Sequence, residues 1–134
     1  MATRASEDHE RPRLLVVEDD ADVRLCMVLA LRAEGYDVSS AADAREALLH
    51  LSSTAFDLLL TDFGLPGKDG LMLIDEAEHQ GLLRGTKVMM LTAFPWLARD
   101  ARMPVLSKPI DFEDLTGRLR SMLETAPSSN RARP

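Results

Sequence analysis

A row of acids, Glu18-Asp19-Asp20, stands in this chain with three other side chains of reactive type: Asp62, Thr92 and Lys108. Each sits at or just after the end of a short apolar run: 14–17 (LLVV) before the acids, 56–61 (FDLLLT) before Asp62, 87–92 (KVMMLT) ending on Thr92, and 103–107 before Lys108-Pro109. If these runs are neighbouring parallel strands, their ends deliver carboxylates, a hydroxyl and an ammonium to one edge of a sheet, where ligands of open α/β sheets bind. Carboxylates held that close repel one another unless a cation joins them. A hard divalent ion with oxygen ligands meets the need, and Mg²⁺ keeps positions open for phosphate oxygens. Lys108 adds a second positive charge and Thr92 a donor, so the set suits phosphoryl transfer onto an aspartate. Taken singly, each has a plainer reading: acids favour a helix start, a lone lysine is a surface residue, and Thr92 caps a strand. The functional reading rests on their joint placement.

The elements that must position these residues follow from periodicity. Residues 20–34 carry Val23, Met27, Ala30 and Leu31 along one helical side, with Gly35 at the helix C′ position. Residues 36–41 read as a strand. Asp43-Ala-Arg-Glu46 resembles a capping box and opens a helix through Leu48, Leu49 and Leu51. Residues 64–70 (GLPGKDG) form a loop, 71–80 a helix, and Asp111 caps a last helix with Phe112, Leu115, Leu119, Met122 and Leu123 at helical spacing. Strands alternating with helices imply right-handed βαβ units and a doubly wound α/β fold with a parallel five-stranded sheet covered on both faces. The expected domain is 13–125, between loose tails at 1–12 and 126–134 that are polar and aperiodic.

Composition narrows the function. A chain of 134 residues, 46% hydrophobic, suits one domain with a true core, and 4% aromatics make that core aliphatic. A net charge of −6 argues against a nucleic-acid partner, which needs a basic face. No apolar h-region opens the chain and no apolar run nears the roughly 20 residues of a membrane span, so a soluble cytoplasmic protein without membrane contact is expected. Cys26 lies among Val23, Leu25 and Met27 and is expected to be buried. Met27, Met72, Met89, Met90, Met103 and Met122 are expected to fill the core. His9, His50 and His79 lack metal-ligand spacing. The triplet Asp62-Phe63-Gly64 imitates a protein-kinase motif, but no glycine-rich nucleotide loop or HRD segment accompanies it.

The segments LLVVEDDADVR, FDLLLTDFGLPGKDG, VMMLTA and VLSKPI resemble, in order and type, the four signature segments of the response-regulator receiver family, over roughly residues 13–125. That resemblance implies a flavodoxin-like sheet of strand order 2-1-3-4-5 and a role in two-component signalling. It makes Asp62 the phosphoacceptor, Asp19 a direct Mg²⁺ ligand, Glu18 a ligand through water, and the Gly64 backbone carbonyl a further ligand. Asp20 is left as a helix cap. Thr92 becomes the hydroxyl that turns toward the phosphoryl group, and Lys108 the lysine that pairs with it, followed by Pro109, often through a cis bond. The implied reaction is in-line attack by Asp62 on a phosphohistidine of a histidine kinase or phosphotransfer protein. With no second domain encoded, output is expected through an unknown downstream protein. Two rivals are a receiver used only for docking and a Mg²⁺-dependent phosphohydrolase; against the latter, Gly64 stands where such enzymes commonly carry an acid.

Three departures from the family pattern bear on mechanism. Between Thr92 and Lys108 the chain is short by about one and a half helical turns, so the fourth helix of the family should be a stub. Val105 stands where Tyr or Phe is frequent, which removes the usual aromatic of the switch. Gly64 and Phe94, two places after Asp62 and Thr92, flank the expected site. Phe94 and Trp96 are expected to cover the sheet edge in preference to replacing the switch aromatic.

Overall fold

The computed structural model describes residues 11–98 and 103–124. The expected tails, apart from Arg11 and Pro12, and the middle of the shortened segment after Thr92 lie outside the described residues. In chain order the elements are β1 (Arg13–Val17), α1 (Ala21–Ala33), β2 (Asp37–Ala41), α2 (Ala44–Ser53), β3 (Leu58–Asp62), α3 (Gly70–His79), β4 (Lys87–Thr92), a 3₁₀ turn (Pro95–Ala98), β5 (Val105–Ser107) and α4 (Phe112–Glu124). The strands form one parallel sheet of order β2-β1-β3-β4-β5, as the alternation and the resemblance require.

Side chains alternate across each strand, which splits the core between the two faces. Leu14, Val16, Leu58, Leu60, Met89 and Leu91 pack against Met27, Val28 and Leu31 of α1 and Leu115 and Leu119 of α4. Leu15, Val17, Leu59 and Met90 pack against Ala44, Ala47 and Leu51 of α2 and Leu73, Ile74 and Ala77 of α3. Each such leucine contributes about 1.5–3 kcal/mol on burial, so the central strands hold the sheet rigidly. Four aspartates fix the helix starts: Asp20, Asp43, Asp69 and Asp111 each accept first-turn backbone N–H groups at 2.8–3.2 Å. The capping box at α2 closes with Glu46 accepting from the Ala42 N–H at 2.8 Å. Gly35, at φ +97°, ends α1 in the left-handed region that a side chain would strain.

Register matters most for function. Val17 pairs with Ala41 on one side and Thr61 on the other, Asp62 pairs with Leu91, and Thr92 with Ser107. The carboxyl ends of β1, β3, β4 and β5 therefore finish level, and whatever follows them shares one edge.

Several expectations fail here. Cys26 is exposed, because the buried stripe of α1 is Met27, Val28 and Leu31, and a residue one position before Met27 is turned about 100° away. Leu25 and Leu29 are exposed beside it. Met72 is likewise exposed, since α3 buries Leu73, Ile74 and Ala77. Phe94 and Trp96 do not cover the sheet edge. They are 52% and 61% exposed and stack edge to face with ring centroids 5.4 Å apart. The stub is as expected: the 3₁₀ turn Pro95–Ala98 is the only helical turn between β4 and β5 among the described residues, and Val88, Met103 and Val105 stay half-buried. The exposure of Cys26 has a direct check. Ellman's reagent should label one thiol per folded chain within minutes and without denaturant, whereas a buried thiol would wait for unfolding.

Candidate functional site

The site grows from the level strand ends. The chain leaving β1 is tied to β2 by the Glu18 N–H donating to the Ala41 carbonyl at 3.1 Å. Glu18 then turns inward, only 1% exposed, and its second carboxylate oxygen accepts the Asp20 N–H at 3.1 Å. Asp19 is exposed. Asp62, the last residue of β3, is 6% exposed. Carboxylate oxygens of Glu18, Asp19 and Asp62 lie within 4.8 Å of one another. From the far end of β5, Lys108 reaches across the edge, its Nζ 3.0 Å from Asp62 Oδ2 and 3.1 Å from Glu18 Oε1. The Lys108-Pro109 bond is cis.

Burial raises the Glu18 carboxyl above the ordinary range; the Asp20 N–H and the Lys108 ammonium only partly offset it, and Asp62 adds to the rise. For Lys108, burial works against the charge, but the hydrogen bonds to Asp62 and Glu18 outweigh it and raise its pKa. The ammonium is therefore firmly protonated where it would meet a phosphoryl group. Three hard, anionic oxygen donors and one counter-ion fit a small divalent cation: a single lysine cannot neutralise three carboxylates.

Thr92 is buried at the end of β4. Its hydroxyl oxygen accepts the Phe94 N–H at 3.0 Å and its carbonyl accepts the Lys108 N–H at 2.8 Å. The O–H remains able to donate, because a hydroxyl carries one donor and two acceptor positions. Gly64 lies exposed in the loop after β3, and an added Cβ there would meet nothing within 4 Å. Asp20 acts as the N-cap of α1, as expected.

Two residues outside the sequence reading help shape the site. A Cβ on Gly70 would stand 2.5 Å from the Asp62 carbonyl oxygen and 3.1 Å from the Phe63 Cα, while the Gly70 N–H donates to the Phe63 carbonyl at 2.7 Å. Only glycine lets the start of α3 come this close behind Asp62. The Asp-Gly pair before an apolar helix was the signal present in the sequence. Arg24 donates to the Glu18 carbonyl at 2.8 Å, a contact with no marker in a linear reading.

Comparison with known proteins agrees with this geometry. Residues 14–120 match the family model of the response regulator receiver domain. The chain belongs to that family. This receiver is 39% identical over 118 residues to the two-component response regulator PhoP of Pseudomonas aeruginosa, a match covering 83% of the chain and 51% of PhoP. It is 36% identical over 122 residues to the response regulator receiver protein CpdR of Brucella abortus, covering 85% of the chain and 98% of CpdR. Thus the receiver spans about half of one relative and nearly all of the other. Among solved structures, the response regulator TrrA of Thermotoga maritima in complex with Mg²⁺-BeF superposes with a TM-score of 0.74 at 27% identity, covering 84% of this chain and 99% of that one. The fold, the family and an acidic cluster at the receiver's strand ends are therefore established together.

The raised pKa of Glu18 has a consequence for stability. A carboxyl whose folded pKa lies above its unfolded value stabilises the fold at pH below the unfolded pKa, and that contribution is lost as pH rises through the folded value. Without metal, ionising Glu18 thus costs stability. Urea denaturation in EDTA should find Glu18→Gln more stable than wild type at pH 7, by on the order of 1 kcal/mol. The gain should shrink toward zero as the pH is lowered below the ordinary glutamate range. A less stable variant at pH 7 would contradict the sign.

Proposed function

We propose that this receiver accepts a phosphoryl group from a phosphohistidine of a histidine kinase or phosphotransfer protein onto Asp62, and signals by altered binding to a downstream protein in the cytoplasm. One observation carries the reading: the Lys108 ammonium lies 3.0 Å from Asp62 and 3.1 Å from Glu18, within a cluster of three carboxylates. A structural ion pair needs only one acid per base. The surplus of negative charge at the sheet edge is what a cation and a phosphoryl group together would use.

In the proposed step, an oxygen of Asp62 attacks the phosphorus in line, the new P–O bond forms as the P–N bond to the donor histidine breaks, and the imidazole leaves with the electron pair. Lys108 shifts its ammonium from Asp62 to an equatorial phosphoryl oxygen, and the Thr92 O–H donates to another. Asp19, Asp62 and the Gly64 carbonyl would hold Mg²⁺, with Glu18 as the outer acid of the cluster. Bound Mg²⁺ supplies charge neutralisation for the phosphoryl oxygens. Positioning does most of the work, since loss of one such electrostatic donor typically costs about 2.7–4 kcal/mol of transition-state stabilisation. TrrA, solved with Mg²⁺ and beryllofluoride, supports the same occupancy for this site. The exposed Gly64, where an added Cβ would meet nothing within 4 Å, leaves room for water two residues after Asp62, consistent with self-dephosphorylation.

In this reading the donor approaches beside α1, where two leucines four residues apart are exposed. Leu25 and Leu29 are 56% and 57% exposed, next to an apolar recess of about 310 Å³ lined by Val23, Cys26, Ile110 and Phe112 with Lys108 at its rim. Among the described residues no helix is long and apolar enough to cross a membrane.

Two experiments test this reading. Incubation with acetyl phosphate and Mg²⁺ should add one phosphoryl mass to the wild type and none to Asp62→Asn; a variant that still gains the mass would overturn the assignment. Leu29→Glu should slow transfer from a phosphorylated histidine phosphotransfer protein by about tenfold, equivalent to roughly 1.4 kcal/mol. The same variant should leave labelling by acetyl phosphate unchanged. Equal losses with both donors would remove α1 as the docking face.

A further inference from the structure

The acidic segment Glu18-Asp19 has to leave β1, present two side chains to the site and enter α1 within three residues. Backbone ties account for part of this: the Glu18 N–H is held by Ala41, and Asp20 begins the helix as its cap. The carbonyls of Glu18 and Asp19 precede the helix, so they fall outside its hydrogen-bond ladder. Arg24 supplies the missing donor. It lies one turn into α1, and side chains on a helix lean toward its N-terminus, so the guanidinium swings back over the segment. One of its terminal nitrogens donates to the Glu18 carbonyl at 2.8 Å and stands 3.5 Å from the Asp19 carbonyl.

The electrostatics of this placement are informative. A cation in the first turn of a helix opposes the macrodipole, and a cation beside an acidic cluster competes with any metal for it. If Arg24 acted only through its charge, it would weaken a divalent site. Its contact is to the main chain, through a fork with fixed geometry that a lysine reproduces poorly. Outer partners that fix ligand orientation typically change metal affinity by about 10–100-fold when lost.

We infer that Arg24 is a positioning residue for divalent-cation binding: its hydrogen bond to the Glu18 carbonyl sets the acidic segment so that the Glu18 and Asp19 carboxylates meet Asp62. This inference rests on the proposed Mg²⁺ site. It assigns Arg24 no contact with metal or phosphoryl group.

The test is a MgCl₂ titration of ¹⁵N-labelled protein at constant ionic strength, followed through backbone amide shifts. Wild type, Arg24→Met and Arg24→Lys are compared. Arg24→Met should bind Mg²⁺ about tenfold more weakly, although it removes a competing positive charge, and Arg24→Lys should recover part of the loss. In metal-free spectra, Arg24→Met should shift the amides of residues 18–20. Labelling by acetyl phosphate should be slow in Arg24→Met at low Mg²⁺ and return to the wild-type rate at saturation. Affinity equal to or tighter than wild type in Arg24→Met, or in Arg24→Lys should the first variant not fold, overturns the positioning role and leaves the Mg²⁺ site standing. Absence of saturable Mg²⁺ binding in the wild type itself overturns both.

Discussion

Two buried carboxylates, Glu18 and Asp62, share the ammonium of Lys108 at the open edge of the sheet, and the rest of the structure is arranged to make that possible. Burying like charges side by side is costly, and loss of the one ammonium they share would leave both uncompensated. The cost is met by geometry. Lys108 crosses from β5, Glu18 turns in from β1 and Asp62 ends β3, so three separate strands must finish at one level for the charges to meet. An all-parallel sheet with matched strand ends provides this, and the paired aliphatic layers keep the ends from shifting.

The same constraint explains where the molecule departs from a purely stable design. Glu18 sits above its ordinary pKa range because it is buried, a local conflict that a stability-optimised core would remove. Gly70 gives up helix propensity so that α3 can start against the Asp62 carbonyl. Arg24 opposes the dipole of its own helix while holding the Glu18 carbonyl. Conflicts of this kind gather at functional sites, and here they gather around one carboxylate. Away from the edge, the aspartate caps at Asp43, Asp69 and Asp111 follow local preference.

The segment between β4 and β5 holds little regular structure among the described residues. A short 3₁₀ turn stands there, Val105 offers no aromatic ring to move, and Phe94 and Trp96 rest against each other in solvent. In the proposed signalling role, a change at Thr92 passes first to the Phe94 N–H, which already donates to its hydroxyl.

The sequence by itself determined the alternation of strands and helices, the parallel sheet, the caps at Asp20, Asp43 and Asp111, and the gathering of Glu18, Asp19, Asp62, Thr92 and Lys108 at one edge. These follow from periodicity and from short runs that end in reactive residues, both local signals. Tertiary structure alone decided which way individual side chains face. The assumption that apolar neighbours imply burial placed Cys26 and Met72 inside, and the burial preference of aromatics placed Phe94 and Trp96 over the sheet edge, yet each is exposed, because helix phase and a tight turn outrank hydrophobicity in setting direction. Gly70 and Arg24 escaped for the complementary reason. Their importance lies in a carbonyl brought near by the packing of α3 and by the backward lean of α1, and no linear pattern records a distance between main-chain atoms of separate elements.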